Sequence, residues 1–208
     1  MKMRMVLVAV AMAMLSGCLM FYTGSEEGPF GVVAVREEPG RPKEMILQAG
    51  GRANWYVVFG PDGGGRIHMA SAAGLLHADF RIPGDEYALL FRLTDALTHD
   101  QSAKAELFRR ACLNVVAHNR DDHLKNFSFL MDEKGRWSLA PFYDFTYAEG
   151  PNGWQTLSVS GEGANPGVDD LRRLAKDVGL DRDESEPILE RVIETCRNNA
   201  RVIGGTKK

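Results

Sequence analysis

The chain has 208 residues, with 25 Lys and Arg against 28 Asp and Glu, a net charge of −3. Hydrophobic residues make up 44% and charged residues 25%, the balance of a globular domain with a core. The charge does not indicate a broad basic face for nucleic acid, and the three cysteines lack the spacing of a zinc site or a disulfide framework.

Residues 1–18 begin with Lys2 and Arg4, continue with an apolar run from Val6 to Leu15, and end Leu15-Ser16-Gly17-Cys18. The run is too short to span a bilayer but suits a signal segment, and the ending resembles a lipoprotein cleavage site with Cys18 lipidated. One reading is therefore a lipid-anchored or exported chain, membrane-associated only through Cys18; the other is a buried strand or helix at the edge of a truncated domain. Residues 19–45 read as a loop-rich stretch with one strand at Gly31 to Val35. Arg36 to Lys43 reads as loop because of Pro39 and Pro42. Ile46 to Gly50 and Asn54 to Phe59 read as a hairpin. Gly60 to Gly65 matches neither G-x-x-x-x-G-K-[ST] nor a G-x-G-x-x-G opening a helix, so it is a flexible turn.

Arg66 to Leu76 reads as a short helix or helix-like loop, with His68 structural. Asp85 is placed to cap a helix from Glu86 to about Leu97, with Leu89, Leu90, Leu93, Ala96 and Leu97 on its apolar face. Asp100 caps the next, about Gln101 to Ala117. There Leu107, Phe108, Ala111, Cys112, Val115 and Val116 recur at three and four, and Lys104, Arg109 and Arg110 point outward.

That helix leads into Asn119-Arg120-Asp121-Asp122-His123-Leu124-Lys125-Asn126. Phe127 to Met131 and Arg136 to Ala140 form a hairpin around the turn Asp132 to Gly135. Asp144-Phe145 follows, 18 positions beyond Asn126. The hairpin starts just after Asn126 and finishes just before Asp144, which puts both near one end. Such a pattern suits phosphoryl transfer. A carboxylate orients the attacking hydroxyl, and hard oxygen ligands hold Mg²⁺ against the phosphates. Protein kinases write it H-R-D-x-x-x-x-N and then D-F-G. Here four residues separate Arg120-Asp121 from Asn126, His118 is displaced by one position, and Thr146 replaces the Gly. Asp122 reads as a loop or capping residue.

After Asp144, residues 147–152 read as loop, Gln155 to Ser160 as a strand and Gly161 to Gly163 as a turn. Val168 to Val178 is a helix ended by Gly179. Glu186 to about Val202 is another, capped by Ser185, with Pro187 in its first turn and Ile188, Leu189, Val192, Cys196 and Ala200 inward. Residues 204–208 are a tail.

Asp121-Asp122-His123-Leu124-Lys125-Asn126-Phe127-Ser128, followed by Leu139-Ala140-Pro141-Phe142-Tyr143-Asp144, resembles the catalytic half of the HipA-type toxin serine/threonine kinases, over about residues 45 to 203. The family pattern is T-D-x-H-x-K-N-F-S and then L-x-P-x-Y-D. The resemblance implies an α+β, mostly helical fold: a protein-kinase-like C-terminal lobe over 46–203 whose short hairpin carries the catalytic loop, with a remnant of the smaller lobe. It implies Asp121 as catalytic base and Asn126 and Asp144 as Mg²⁺ ligands. It places His123, Lys125, Asn126, Tyr143 and Asp144 around ATP. A Ser/Thr protein substrate, a small DNA-binding antitoxin and a cytoplasmic location also follow from it.

Lys43 is the sole Lys between Lys2 and Lys104. The phosphate-holding Lys of a small lobe therefore has no equivalent upstream, and a truncated, impaired kinase lobe is the expectation. Two other readings are a non-catalytic lipoprotein or interaction module and a metal-dependent phosphohydrolase built on His118, Asp121, Asp122, His123 and Asp144.

Overall fold

The computed structural model describes residues 20–21, 31–36, 43–49, 53–59, 65–78 and 86–199, with side chains over 67–78 and 86–199. The expectations for 1–18, Cys18 among them, for the turn at 60–64 and for the tail lie outside the described residues.

Among the described residues, seven strands form one antiparallel sheet in chain order: β1 (Met20–Phe21), β2 (Gly31–Arg36), β3 (Lys43–Ala49), β4 (Ala53–Phe59), β5 (Gly65–Ser71), β6 (Ser128–Met131) and β7 (Trp137–Leu139). The hairpin expected at 46–59 is present, with Ile46 opposite Tyr56 and Ala49 opposite Ala53. Lys43 opens β3, where a Pro-flanked loop was expected. Pairing with Phe59 recruits it into the sheet.

The segment expected to be helical at 66–76 is mostly strand. Its first half pairs with β4 (Val57 opposite Arg66) and its second half with β6 (Ala70 opposite Phe129). Two open strand edges claim its backbone hydrogen bonds, which outweighs the helix preference of its alanines. Met69 is buried while His68 is exposed, an alternation with period two. Only Ala72–Leu75 is helical (α1); Ser71 Oγ accepts from the Gly74 N–H at 3.2 Å to start it. β5 thereby joins the upstream strands to the hairpin that follows the loop at 119–126.

The helical layer consists of α2 (Tyr87–Thr98), α3 (Gln101–Val116), α4 (Val168–Asp177) and α5 (Arg182–Asn198). The buried face of α2 runs through Tyr87, Leu90, Phe91 and Thr94; Ala96, expected inward, is exposed. Asp100 caps α3 as expected, its Oδ1 accepting from the Ser102 N–H at 2.8 Å. Leu107, Phe108, Ala111 and Cys112 of α3 meet Leu171 and Leu174 of α4 and Leu189 and Val192 of α5 in one core. Each such side chain contributes roughly 1.5–3 kcal/mol before entropy is counted. Burial pushes the thiols of Cys112 and Cys196 up, the latter to about 11.

Two expectations on α3 are corrected. Lys104 is buried and pairs with Asp95 of α2 at 3.2 Å. Arg110 is 5% exposed, donates from Nη2 to the Ala140 carbonyl at 2.9 Å and lies 5.4 Å over the Phe142 ring. Long basic chains can bury their stems and still pair their heads, so periodicity alone does not put them outside.

α5 begins four residues before the expected start, at Arg182, so Ser185 is buried within it and does not cap. Gln155 to Ser160 forms only isolated bridges, Glu86 with Ser158 and Val159 with Glu162.

Candidate active site

α3 ends at Val116, and the chain reverses through His118, whose φ is 60°. The Asn119 N–H returns to the Asn114 carbonyl at 2.8 Å. From here to the 3-10 turn Leu124–Asn126 the loop is held by a closed ring of buried polar groups. Asn119 Nδ2 donates to Asn114 Oδ1 at 3.0 Å, and Asn114 Nδ2 donates to Tyr87 Oη at 2.9 Å. Tyr87 Oη donates in turn to Asp122 Oδ2. Gln155 Nε2 closes the ring, donating to Asp122 Oδ2 at 2.8 Å and to the Asn119 carbonyl at 2.9 Å. The Leu157 N–H reaches the other Asp122 oxygen at 3.2 Å.

Asp122 is 1% exposed. Burial pushes its carboxyl up to about 6, although the hydrogen bonds from Tyr87, Gln155 and Leu157 pull the other way. Burial first, and then the Asp122 charge, hold the Tyr87 hydroxyl protonated well above its ordinary range. It is therefore the fixed donor of the pair.

Asp121 faces the opposite way, with about half its side chain, 53%, exposed. Asn126 Nδ2 donates to the Asp121 carbonyl at 3.0 Å, so the two residues are pinned in one turn. His123 Nε2 lies 3.7 Å from Asp121 Oδ1. Asn126 is nearly buried, at 5% exposure, and with its Nδ2 engaged, its Oδ1 is the atom of the right chemistry for a hard cation.

The far end of the hairpin is tied to this turn. The Ala140 N–H donates to the Ser128 carbonyl at 2.8 Å, and Tyr143 Oη donates to the Lys125 carbonyl at 2.8 Å and lies 2.6 Å from Ser128 Oγ. The clasp joins the neighbour of Asn126 to the neighbour of Asp144. Asp144 follows immediately, exposed, in the left-handed region at φ 56°. A non-Gly residue held there costs energy, and such positions cluster at functional sites. Tyr143 is 4% exposed and its hydroxyl serves the clasp.

Of the alternative set of His118, Asp121, Asp122, His123 and Asp144, Asp122 is engaged by the buried ring. Among the described residues no group of three or more His, Cys, Asp or Glu is arranged to hold a metal. A Mg²⁺ site on one or two protein carboxylates, completed by phosphate and water, does not require such a group.

Comparison with known families places residues 45–200 in a match to the HipA-like C-terminal domain. The chain belongs to this family. Curated proteins give no match. Among solved structures, the HipA-like chain resembles a chain of the Shewanella oneidensis MR-1 toxin–antitoxin complex of HipA, HipB and its operator DNA. The TM-score is 0.61 at 19% identity, over 98% of this chain and 50% of that one. It thus spans half the length of the protein it matches, and at that identity the likeness is one of fold.

The residues that hold the loop of this HipA-like domain were largely invisible in its sequence. Tyr87 lies there inside a helix starting at Glu86, Asn114 inside the helix from about Gln101, and Gln155 in a strand. The one available signal was Asn114 itself, an amide on the inward face of a helix, which needs a polar partner.

Proposed function

We propose that this chain is the catalytic lobe of a HipA-type serine/threonine kinase that transfers the γ-phosphoryl of ATP to a protein hydroxyl. The observation that carries the reading is the Asn126 Nδ2 bond to the Asp121 carbonyl, which fixes an exposed carboxylate and a metal-type oxygen within one turn. Asp121 is the base that orients the acceptor Ser or Thr hydroxyl and takes its proton.

The oxygens of Asn126 and Asp144 suit Mg²⁺, as hard donors with at most two carboxylates between them. Held there, Mg²⁺ would supply charge neutralisation for the phosphates of ATP. Lys125 and His123 stand beside the same turn as partners for phosphate. Tyr143 acts by holding the Lys125 carbonyl, which keeps Asp144 in register with Asn126. The back of the loop is locked by Asp122, so the exposed face does not reorganise when charge develops.

The matched structure contains HipA, HipB and operator DNA, which supports a small DNA-binding antitoxin as partner. The net charge of −3 gives this chain no electrostatic reason to bind DNA by itself. No helix among the described residues is long and apolar enough to cross a membrane, and a cytoplasmic kinase is the reading proposed.

The test is titration of the full chain with ATP in the presence and absence of Mg²⁺, beside Asp144→Asn. Mg²⁺-dependent binding by the parent and its loss in the variant is the expected result. Equal binding by both sinks the proposal.

A further inference from the structure

Arg120 immediately precedes Asp121, and four sets of bonds tie it to the segment that follows Asp144. Its N–H donates to the Ala148 carbonyl at 3.1 Å. Its own carbonyl accepts from the Thr156 N–H at 3.1 Å and from Thr156 Oγ1 at 2.8 Å. Its guanidinium donates from Nη1 to the Gly153 carbonyl and from Nη2 to Asn165 Oδ1 at 3.2 Å. The packing is close. A Cβ on Gly150, where φ is +70°, would lie 2.1 Å from the Trp154 carbonyl oxygen and 2.7 Å from the Arg120 Cβ.

In kinases that are switched by phosphorylation, the segment after the metal-binding Asp is ordered when a phosphorylated residue pairs with an Arg. Here neutral oxygens of Gly153 and Asn165 already occupy the Arg120 guanidinium. The segment also carries Tyr147 and Trp154, 42% and 56% exposed, the large hydrophobic side chains most open to solvent among the described residues. Tyr147 stacks on His118 of the catalytic loop, with ring centroids 6.0 Å apart. Exposed aromatics on a segment this firmly tethered form a contact surface rather than loose loop.

We infer that Arg120 is a positioning residue that holds 147–165 against the catalytic loop without a phosphate, so that Trp154 meets the polypeptide carrying the acceptor hydroxyl. The inference rests on the kinase reading for the identity of the acceptor, while the tether itself does not.

The experiment compares the full chain with Arg120→Ala, Arg120→Lys, Gly150→Ala and Trp154→Ala. Three quantities are read: amide hydrogen exchange across 148–157, Mg-ATP binding, and kinetics of phosphate transfer to a random octapeptide library containing one Ser or Thr. Arg120→Ala and Gly150→Ala are expected to speed exchange across 148–157 at least tenfold. Both should raise KM for peptide at least fivefold and leave Mg-ATP affinity within twofold. Arg120→Lys, which keeps the charge and loses the fork, should fall between. Trp154→Ala should raise KM for peptide with exchange unchanged. Phosphatase treatment of the parent should alter nothing. Unchanged exchange in Arg120→Ala, or in Gly150→Ala should the former not fold, overturns the tether, as does release of the segment by phosphatase. An unchanged KM in Trp154→Ala overturns the contact surface. A parent that binds no Mg-ATP and transfers no phosphate sinks the kinase reading and the acceptor with it, whereas the exchange data still decide the tether.

Discussion

Tyr87 and Asp122 are 35 residues apart in sequence, yet the phenol at the first turn of α2 donates directly to the carboxylate at the back of the 119–126 loop. Both side chains are essentially without solvent exposure. The pair turns Asp122 inward and leaves its neighbour Asp121 outward, so adjacent carboxylates serve opposite sides of one loop. Phe in place of Tyr87 keeps the ring against Phe127 and removes only the hydroxyl. Asp122 then loses one of its three donors and the Asn114 amide its acceptor. Tyr87→Phe is expected to cost about 1–3 kcal/mol, read as a lowered urea midpoint at unchanged slope. An unchanged midpoint would show that the ring is incidental to stability.

The same ring gives stability a pH dependence. Burial raises the Asp122 carboxyl from its ordinary 3.8 to about 6. Between these values the folded chain holds more protons than the unfolded one, so the Asp122 contribution is greatest below about pH 4. It is lost as pH rises to about 6 and stays level above that. The difference across the window is roughly 3 kcal/mol. Asp122→Asn cannot titrate and should lack this component, although it places an amide N–H against the Gln155 Nε2 donor and is less stable for that reason. The measurement is the urea midpoint of each protein from pH 4 to pH 7. The parent should lose stability relative to the variant as pH rises, and a constant difference would contradict the assignment.

What could be read in the sequence and what could not divides along the range of the interactions. The hairpin after Asn126 was legible because its turn is local: Gly135 takes φ 76° where the turn demands it, and Asp132 accepts from the N–H groups of Lys134 and Arg136. The cap at Asp100 was legible for the same reason. β5 was misread as helix because its conformation is imposed by β4 and β6, the latter about sixty residues downstream. The exposed residues of the candidate site stood out by motif. Their supports did not, because Tyr87, Asn114 and Gln155 come from three separate segments, and no spacing rule connects them.

Arg110 shows how burial reverses an expectation drawn from charge. Its Nε pairs with Glu106 at 3.0 Å, its Nη2 bonds the Ala140 carbonyl, and its plane covers Phe142, so it fastens α3 to the end of the hairpin. Arg110→Ala removes a charged donor from a buried carbonyl and is expected to cost about 1.5–3 kcal/mol. Arg110→Lys recovers only part of this, because an ammonium cannot span both acceptors in a plane. Thermal or urea unfolding of the three proteins checks the order parent, Lys, Ala. A Lys variant equal to the parent would show that charge alone matters there.

Asp144 separates fold from function most cleanly. At φ 56° it sits where Gly is at ease and where a side chain without a local hydrogen-bonding group is strained. If position 144 were tuned for stability, Gly would serve it best. Asp144→Gly should accordingly be more stable than Asp144→Ala, by about 1 kcal/mol. Stability of the Asp144→Asn variant should stay near the parent's, because Asn tolerates the left-handed region. None of the three variants retains a carboxylate, and all should lose Mg²⁺-dependent ATP binding together, whatever their stability. Unfolding midpoints and nucleotide titrations on one set of proteins provide both readouts. Binding that follows stability across the set would make Asp144 a structural residue. Binding lost even in the most stable variant supports strain kept at this position for the sake of the carboxylate.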